Sequence, residues 1–162
     1  IVKLALQNAH SEIWGMDINK ERLEALKSKL EDKNISNVHL VCRDVLSTEF
    51  YDGTFDAVIC INFFVDADKP LVIAVLKEMK RILKPSGKMI FEFRNSRNII
   101  YRLKYALARY YDPSAPFPLY TYYPEEIDSI MADLGIKVIR KMYPRALIKY
   151  TAPIVMIEAQ KI

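Results

Sequence analysis

Phe55-Asp56-Ala57-Val58-Ile59-Cys60-Ile61 is the stretch that decides the fold. It reads as a continuous apolar strand, of the kind buried on both faces of a parallel sheet. Upstream lie two shorter apolar runs, Ile13-Trp14-Gly15-Met16-Asp17-Ile18 and Val38-His39-Leu40-Val41-Cys42-Arg43-Asp44-Val45, each read as a strand closed by an acid. Between them a helix is expected over about 20–32, capped by Asn19, with Leu23, Leu26 and Leu30 on one face. Residues 1–9 read as a helix already in progress, Asn34 to Asn37 as a turn and Ser47 to Gly53 as a loop.

Downstream, Asp66-Ala-Asp-Lys-Pro70 reads as a helix start with proline in the first turn. That helix is expected to run to about Leu83, burying Leu71, Val75, Met79 and Leu83 or their neighbours. Lys84-Pro85-Ser86-Gly87 should stop it, before a strand over Lys88 to Phe93. Residues 94–110 form a basic, aromatic, helical segment, and Asp112 to Tyr123 is proline-rich and irregular. Tyr123-Pro-Glu-Glu126 opens a last helix that ends at Leu134-Gly135, with the glycine as its cap. Strands near 136–143 and 153–161 close the chain.

The alternation of strands and helices implies an α/β fold with a parallel sheet. The last two strands are joined by only Pro144 to Ala152, too little for a crossover helix, so that pair should be antiparallel. The whole chain, 1–162, is expected to be one domain, with 94–123 an insert or lid over the presumed active site.

Bulk composition narrows the function classes. With 51% hydrophobic and 27% charged residues, the chain has an ordinary globular make-up and enough length for a real core. No apolar run approaches the roughly 20 residues of a membrane span, and no basic leader precedes an apolar segment and cleavage site, so a cytoplasmic location is expected. The net charge of +4 permits an anionic partner without demanding one. Cys42 and Cys60 lie in apolar runs and read as reduced buried thiols. With only His10 and His39 beside them, no metal site is expected. No glycine-rich phosphate loop is present.

Ligands of open parallel sheets bind at the carboxyl ends of the strands. Two carboxylates, Asp17 and Asp44, at neighbouring strand ends therefore suggest a pocket for hydroxyls and an amine, such as those of an adenosine.

Read in order, these residues resemble the class I S-adenosylmethionine-dependent methyltransferase family. Ile13 to Ile18 resembles the family's second strand, whose acid binds ribose hydroxyls, and Cys42-Arg-Asp44-Val45 the third strand end, whose acid faces the adenine amine. Phe55 to Asn62 resembles the fourth strand, beneath the methionine part of the cofactor. Leu76 to Phe93 resembles the family's helix, its Leu-Lys-Pro-Gly-Gly turn and its fifth strand, with Ser86 in place of the first glycine. Tyr122 to Val138 resembles the last helix and sixth strand, and Ile154 to Lys161 the antiparallel seventh. The resemblance implies a Rossmann-like, mostly parallel sheet with helices on both faces and an antiparallel C-terminal strand. The family's first strand and its glycine-rich loop are missing from the sequence and would lie before Ile1. That strand is central in the family, so its loss would leave main-chain groups unpaired along two strands. Residues omitted from the sequence, a truncation, or a gap filled by another chain or by a rearrangement each account for this.

The resemblance implies S-adenosylmethionine as cofactor and methyl transfer to a small or medium-sized acceptor. Its implied cofactor-binding residues are Asp17, Ile18, Asp44, Val45, Asn62 and Phe63. Asp17 takes the ribose diol, Asp44 the adenine amine and the Val45 amide a ring nitrogen; Asn62 and Phe63 lie near the transferring methyl. Ile18 and Leu46 either sandwich the adenine or belong to the core. Asp52 and Asp56 read as solvated. No residue pair identifies a catalytic base, and neither His10 nor His39 suits that role. For 94–110 the plain reading is an amphipathic helix packing Ile99, Ile100, Leu103 and Leu107; a small-molecule lid is the alternative, and contact with nucleic acid or a membrane surface is the third. Rival readings of the whole chain are a non-catalytic methyltransferase-like scaffold and a nicotinamide-binding oxidoreductase.

Overall fold

Helices and strands alternate as the sequence led us to expect. A computed structural model describes residues 1–112, 118–144 and 151–162, which fall into two compact units, Ile1–Glu49 and Phe50–Ile162.

The first unit contains α1 (Val2–Gln7), β1 (Ile13–Asp17), α2 (Lys20–Glu31) and β2 (Val38–Cys42). β1 and β2 pair in parallel from Ile13 opposite Val38 to Asp17 opposite Cys42. Asn19 caps α2, its side-chain oxygen accepting from the Arg22 amide at 2.9 Å. Leu23 and Leu30 are buried, as the helical spacing required. β2 stops at Cys42, two residues short of the expected end at Asp44. The cause is local: Asp44 Oδ1 accepts from the Leu46 amide at 2.7 Å, and the Asp44 carbonyl accepts from Ser47 at 3.0 Å. That turn takes the backbone out of the ladder.

The second unit contains β3 (Phe55–Cys60), α3 (Lys69–Ile82), β4 (Leu83–Arg94), α4 (Ile99–Ala106), α5 (Ala108–Tyr111), α6 (Pro124–Asp133), β5 (Ile136–Met142) and β6 (Ile154–Lys161). Its sheet runs in the order β3-β4-β6-β5. β3 and β4 are parallel, and β6 is antiparallel to both of its neighbours, so β3, β4 and β5 share one direction. The final pair is thus antiparallel, as the short linker dictated; residues 145–150 of that linker lie outside the described residues.

One face of this sheet holds the core. Met89, Phe91 and Phe93 stand opposite Ala159, Ile157 and Val155, and all six are essentially inaccessible. α3 packs against β4 and α6 against β5. They add Val72, Val75, Leu76, Met79 and Ile82 from α3 and Ile127, Ile130 and Met131 from α6, each fully buried side chain worth about 1.5–3 kcal/mol. Lys80 Nζ donates to the carbonyl of Leu134 at 2.6 Å, placing a cation on the C-terminus of α6. Gly135 follows with φ 60, the left-handed cap the sequence signalled.

Four expectations need correction. Cys42, read as a buried thiol, is exposed at the end of β2. β3 is not buried on both faces: Ile59 is 48% exposed, and among the described residues β3 stands at the end of its sheet and pairs with β4 alone. The Lys84-Pro85-Ser86-Gly87 turn does not stand between helix and strand, since α3 ends at Ile82 and β4 already begins at Leu83. Ser86 sits at φ 60, a region that costs an L-residue roughly 1–2 kcal/mol and that the family's glycine would occupy freely. A Cβ on Gly87 would fall 2.8 Å from the Lys84 carbonyl oxygen, so the second glycine is kept for space. Lastly, α4 buries none of Ile99, Ile100, Leu103 or Leu107. Its inward side is made by residues that pack less deeply, Tyr101 and Tyr105, and in α5 by Ala108.

Among the described residues, no helix is long and apolar enough to cross a membrane, and no cluster of metal-ligating side chains is present.

Candidate active site at the strand ends

In the first unit, Asp17 ends β1 with its side chain 34% exposed. Its Oδ1 accepts from the Asn19 amide at 2.9 Å, which fixes the carboxylate at the strand end. Oδ2 faces Arg22 Nη1 at 3.8 Å, a solvent-exposed pairing of little strength. One oxygen thus orients the group and the other keeps its hydrogen-bonding capacity. Asp44 repeats the pattern after β2, with Oδ1 engaged by Leu46 and the residue exposed. Ile18 is 71% exposed and Leu46 48%, so neither belongs to the core; Val45 between them is half-buried. Cys42 Sγ donates to the Ile18 carbonyl at 3.5 Å, tying the two strand ends together. The donor and acceptor set suits an adenosine: carboxylates for a diol and an amine, and aliphatic surface for a flat ring.

His39 stands mid-strand beside Trp14, ring centroids 4.8 Å apart, and contacts the Glu12 carboxylate. That position at the middle of β2 keeps it from the strand end.

In the second unit, Asn62 follows β3 at φ 62, and its Oδ1 accepts from Arg94 Nη2 at 2.8 Å. Arg94 Nη1 reaches Glu92 Oε1 at 3.3 Å. Phe63 is half-buried and edges onto Phe64, which in turn meets Phe91 in the core. Cys60 is pushed up to about 11 by burial, with Glu92 adding to the shift, so its thiol stays neutral and is no nucleophile at neutral pH. Asp52 and Asp56 are solvated, as expected, paired with Arg81 at 2.6 Å and Lys84 at 2.8 Å.

A polar network after β4 escaped the sequence reading. Asn95 is fully buried: Nδ2 donates to the Ala152 carbonyl at 3.0 Å and Oδ1 accepts from the Arg97 amide at 3.1 Å. Ser96 Oγ and Thr121 Oγ1 share a hydrogen bond of 2.7 Å, and Asn98 caps α4 while donating to the Thr151 carbonyl at 2.7 Å. The Tyr122 hydroxyl donates to the Ala67 carbonyl, and burial raises it well above the usual phenol range. Arg94 to Asn98 offered a signal in its run of Asn and Ser, which reads equally as an ordinary turn.

Comparison with known proteins agrees with the fold. A family model described as a methyltransferase domain matches residues 1–87. A demethylmenaquinone methyltransferase of Staphylococcus haemolyticus is 39% identical over 82 residues, covering 51% of this chain and 33% of the relative. The enzyme of that name from Anoxybacillus flavithermus is 34% identical over 104 residues, 63% of this chain and 43% of its own. The chain therefore spans well under half the length of the curated relatives it matches. Among solved structures, a SAM-dependent methyltransferase of Methanosarcina mazei superposes with a TM-score of 0.75 at 18% identity, covering 99% of this chain and 86% of its own. A magnesium protoporphyrin IX methyltransferase from Synechocystis, solved with bound SAH, gives 0.73 at 17% identity over 97% of this chain and 67% of its own.

Proposed function

The chain belongs to the class I S-adenosylmethionine-dependent methyltransferase family, and from that premise we propose that it takes part in methyl transfer from S-adenosylmethionine to a small-molecule acceptor. The observation that carries the reading is the Asp17 carboxylate, held by the Asn19 amide through one oxygen and faced at the other by Arg22 at 3.8 Å, beyond hydrogen-bond distance. A vicinal diol binds such a group through charge-assisted hydrogen bonds. Asp44 is assigned to the adenine amine, the Val45 amide to a ring nitrogen, and the exposed side chains of Ile18 and Leu46 to the faces of the ring. In the second unit, Asn62 and Phe63 are assigned to the methyl-transfer step. Arg94 holds the Asn62 side chain and thereby its orientation. S-adenosylmethionine would supply an electrophilic methyl on a sulfonium, and the chain's own task is position, orientation and exclusion of water. We assign no catalytic base, and segment 94–123, whose residues 113–117 lie outside the described residues, is proposed to border the acceptor through the inward side of α4 that carries Tyr101 and Tyr105, and not through its exposed Ile100 and Leu103.

The names of the sequence relatives make a reduced demethylmenaquinone the first acceptor to try. The deciding experiment is calorimetric titration of the intact protein with S-adenosylhomocysteine. Binding is expected, and Asp17→Ala should weaken it about thirtyfold, the value of one charge-assisted hydrogen bond. Absence of binding by the unmutated protein would sink the reading.

A further inference from the structure

We propose that the outer face of α4 and α5 docks on an anionic lipid bilayer. The observation is an apolar stripe left uncovered. Ile100, Leu103 and Leu107 recur at helical spacing, and they are 77%, 57% and 44% exposed. Ile99, Tyr110 and Tyr111 extend the patch at 66%, 70% and 52%. A helix of a globular protein turns such a stripe to its core. Here the inward side belongs to Tyr101, Tyr105 and Ala108 instead.

Charge identifies the occupant. Lys104 borders one side of the stripe and Arg102 the other, Arg109 lies nearer Tyr105, with which it lines a pocket, and no acidic residue occurs between Arg94 and Tyr111. Among the described residues these three cations meet tyrosines and not carboxylates. Arg102 Nη1 donates to the Tyr123 hydroxyl at 2.8 Å, Lys104 Nζ lies 5.9 Å from the centre of the Tyr101 ring, and the Arg109 guanidinium 4.8 Å from that of Tyr110. Aliphatic surface bordered by unneutralised cations and phenols is the pattern of a helix lying in the membrane interface: side chains enter the acyl boundary while basic groups stay among phosphates. A nucleic acid would use the cations and tyrosines but has no use for four exposed Ile and Leu side chains, which neither stack nor pair. A second copy of the chain would bring like charges face to face.

The docking stands apart from the methyl-transfer reading and is tested separately. The intact protein is sedimented with vesicles of phosphatidylcholine alone and of phosphatidylcholine mixed with phosphatidylglycerol, at about 0.1 M salt, where the screening length is about 10 Å. Each cation near an anionic leaflet raises partitioning about fivefold. The mixed vesicles should therefore bind at least tenfold more protein, and Arg102→Glu with Lys104→Glu should abolish that preference. Ile100→Ser with Leu103→Ser, both at exposed positions, should lower vesicle binding about tenfold and leave S-adenosylhomocysteine affinity and thermal midpoint unchanged. No pelleting with either vesicle overturns the proposal, as does a serine variant that pellets like the unmutated protein. Tighter binding to a single-stranded oligonucleotide than to vesicles, indifferent to Ile100 and Leu103, overturns it in favour of nucleic acid. A loss of S-adenosylhomocysteine binding by the unmutated protein would break the methyl-transfer reading alone and leave the vesicle result intact.

Discussion

The carboxyl ends of β1 and β2 differ from that of β4 in how they use hydrogen-bonding capacity. At the first pair, Asp17 and Asp44 are accessible, each with one oxygen taken by a nearby amide, beside exposed Ile18 and Leu46. After β4, Asn95, Ser96 and Asn98 are buried and joined to one another's neighbours through the Ala152, Thr151 and Thr121 groups. Open capacity on accessible side chains suits ligand binding, which needs groups ready to exchange water for a partner. Capacity already spent in a buried network holds the chain in place, because leaving such groups unsatisfied is costly.

The contrast is easiest to break at Asn95. Replacement by Ala strands the Ala152 carbonyl in a dry interior, removes the acceptor of the Arg97 amide and should cost about 2 kcal/mol in denaturant-measured stability. A loss below about 1 kcal/mol would mean that the network is not structural. The cysteines give a second comparison. Cys42 ends β2 and is exposed, whereas Cys60 ends β3 with a pKa raised from 9.0 to about 11. A thiol so raised carries about a hundredfold less thiolate near neutral pH. Alkylation followed by mass spectrometry should therefore mark Cys42 first, and the rate at Cys60 should climb about tenfold per pH unit until it levels near its pKa. Equal rates at pH 8 would show that the β3 end is more open than its burial implies. The smallest effect is expected at Asp44→Asn. The Leu46 turn bond survives through the amide oxygen, so stability should hold within about 0.5 kcal/mol. S-adenosylhomocysteine binding should weaken about fivefold as a charge-assisted bond becomes a neutral one. A stability loss larger than the binding loss would turn Asp44 from a ligand group into a turn residue.

Much of the fold was legible because its signals are local. Asn19, Asp68 and the Leu134-Gly135 end mark helix boundaries through bonds made within a few residues. The short linker before β6 settled the direction of the last pair by chain length alone. Asp17 and Asp44 were legible as strand-end acids for the same reason, although the turn at Asp44 ended β2 two residues early.

What sequence could not supply was burial, since burial depends on which strands and helices become neighbours. The apolar run of β3 looked central and, among the described residues, stands at a sheet end with the Ile59 side chain exposed. Ile99, Ile100, Leu103 and Leu107 had the spacing of a core face, and the tertiary structure turned the other side of α4 inward. Asn95 looked like one more polar turn residue until Ala152, 57 positions away, came to accept from its side chain. By itself the sequence determined the order of elements, their caps and the acids at two strand ends, because covalent neighbours enforce these. The tertiary structure alone decided which apolar faces are core and which polar groups are already satisfied, because only partners distant in the chain can exclude water from either.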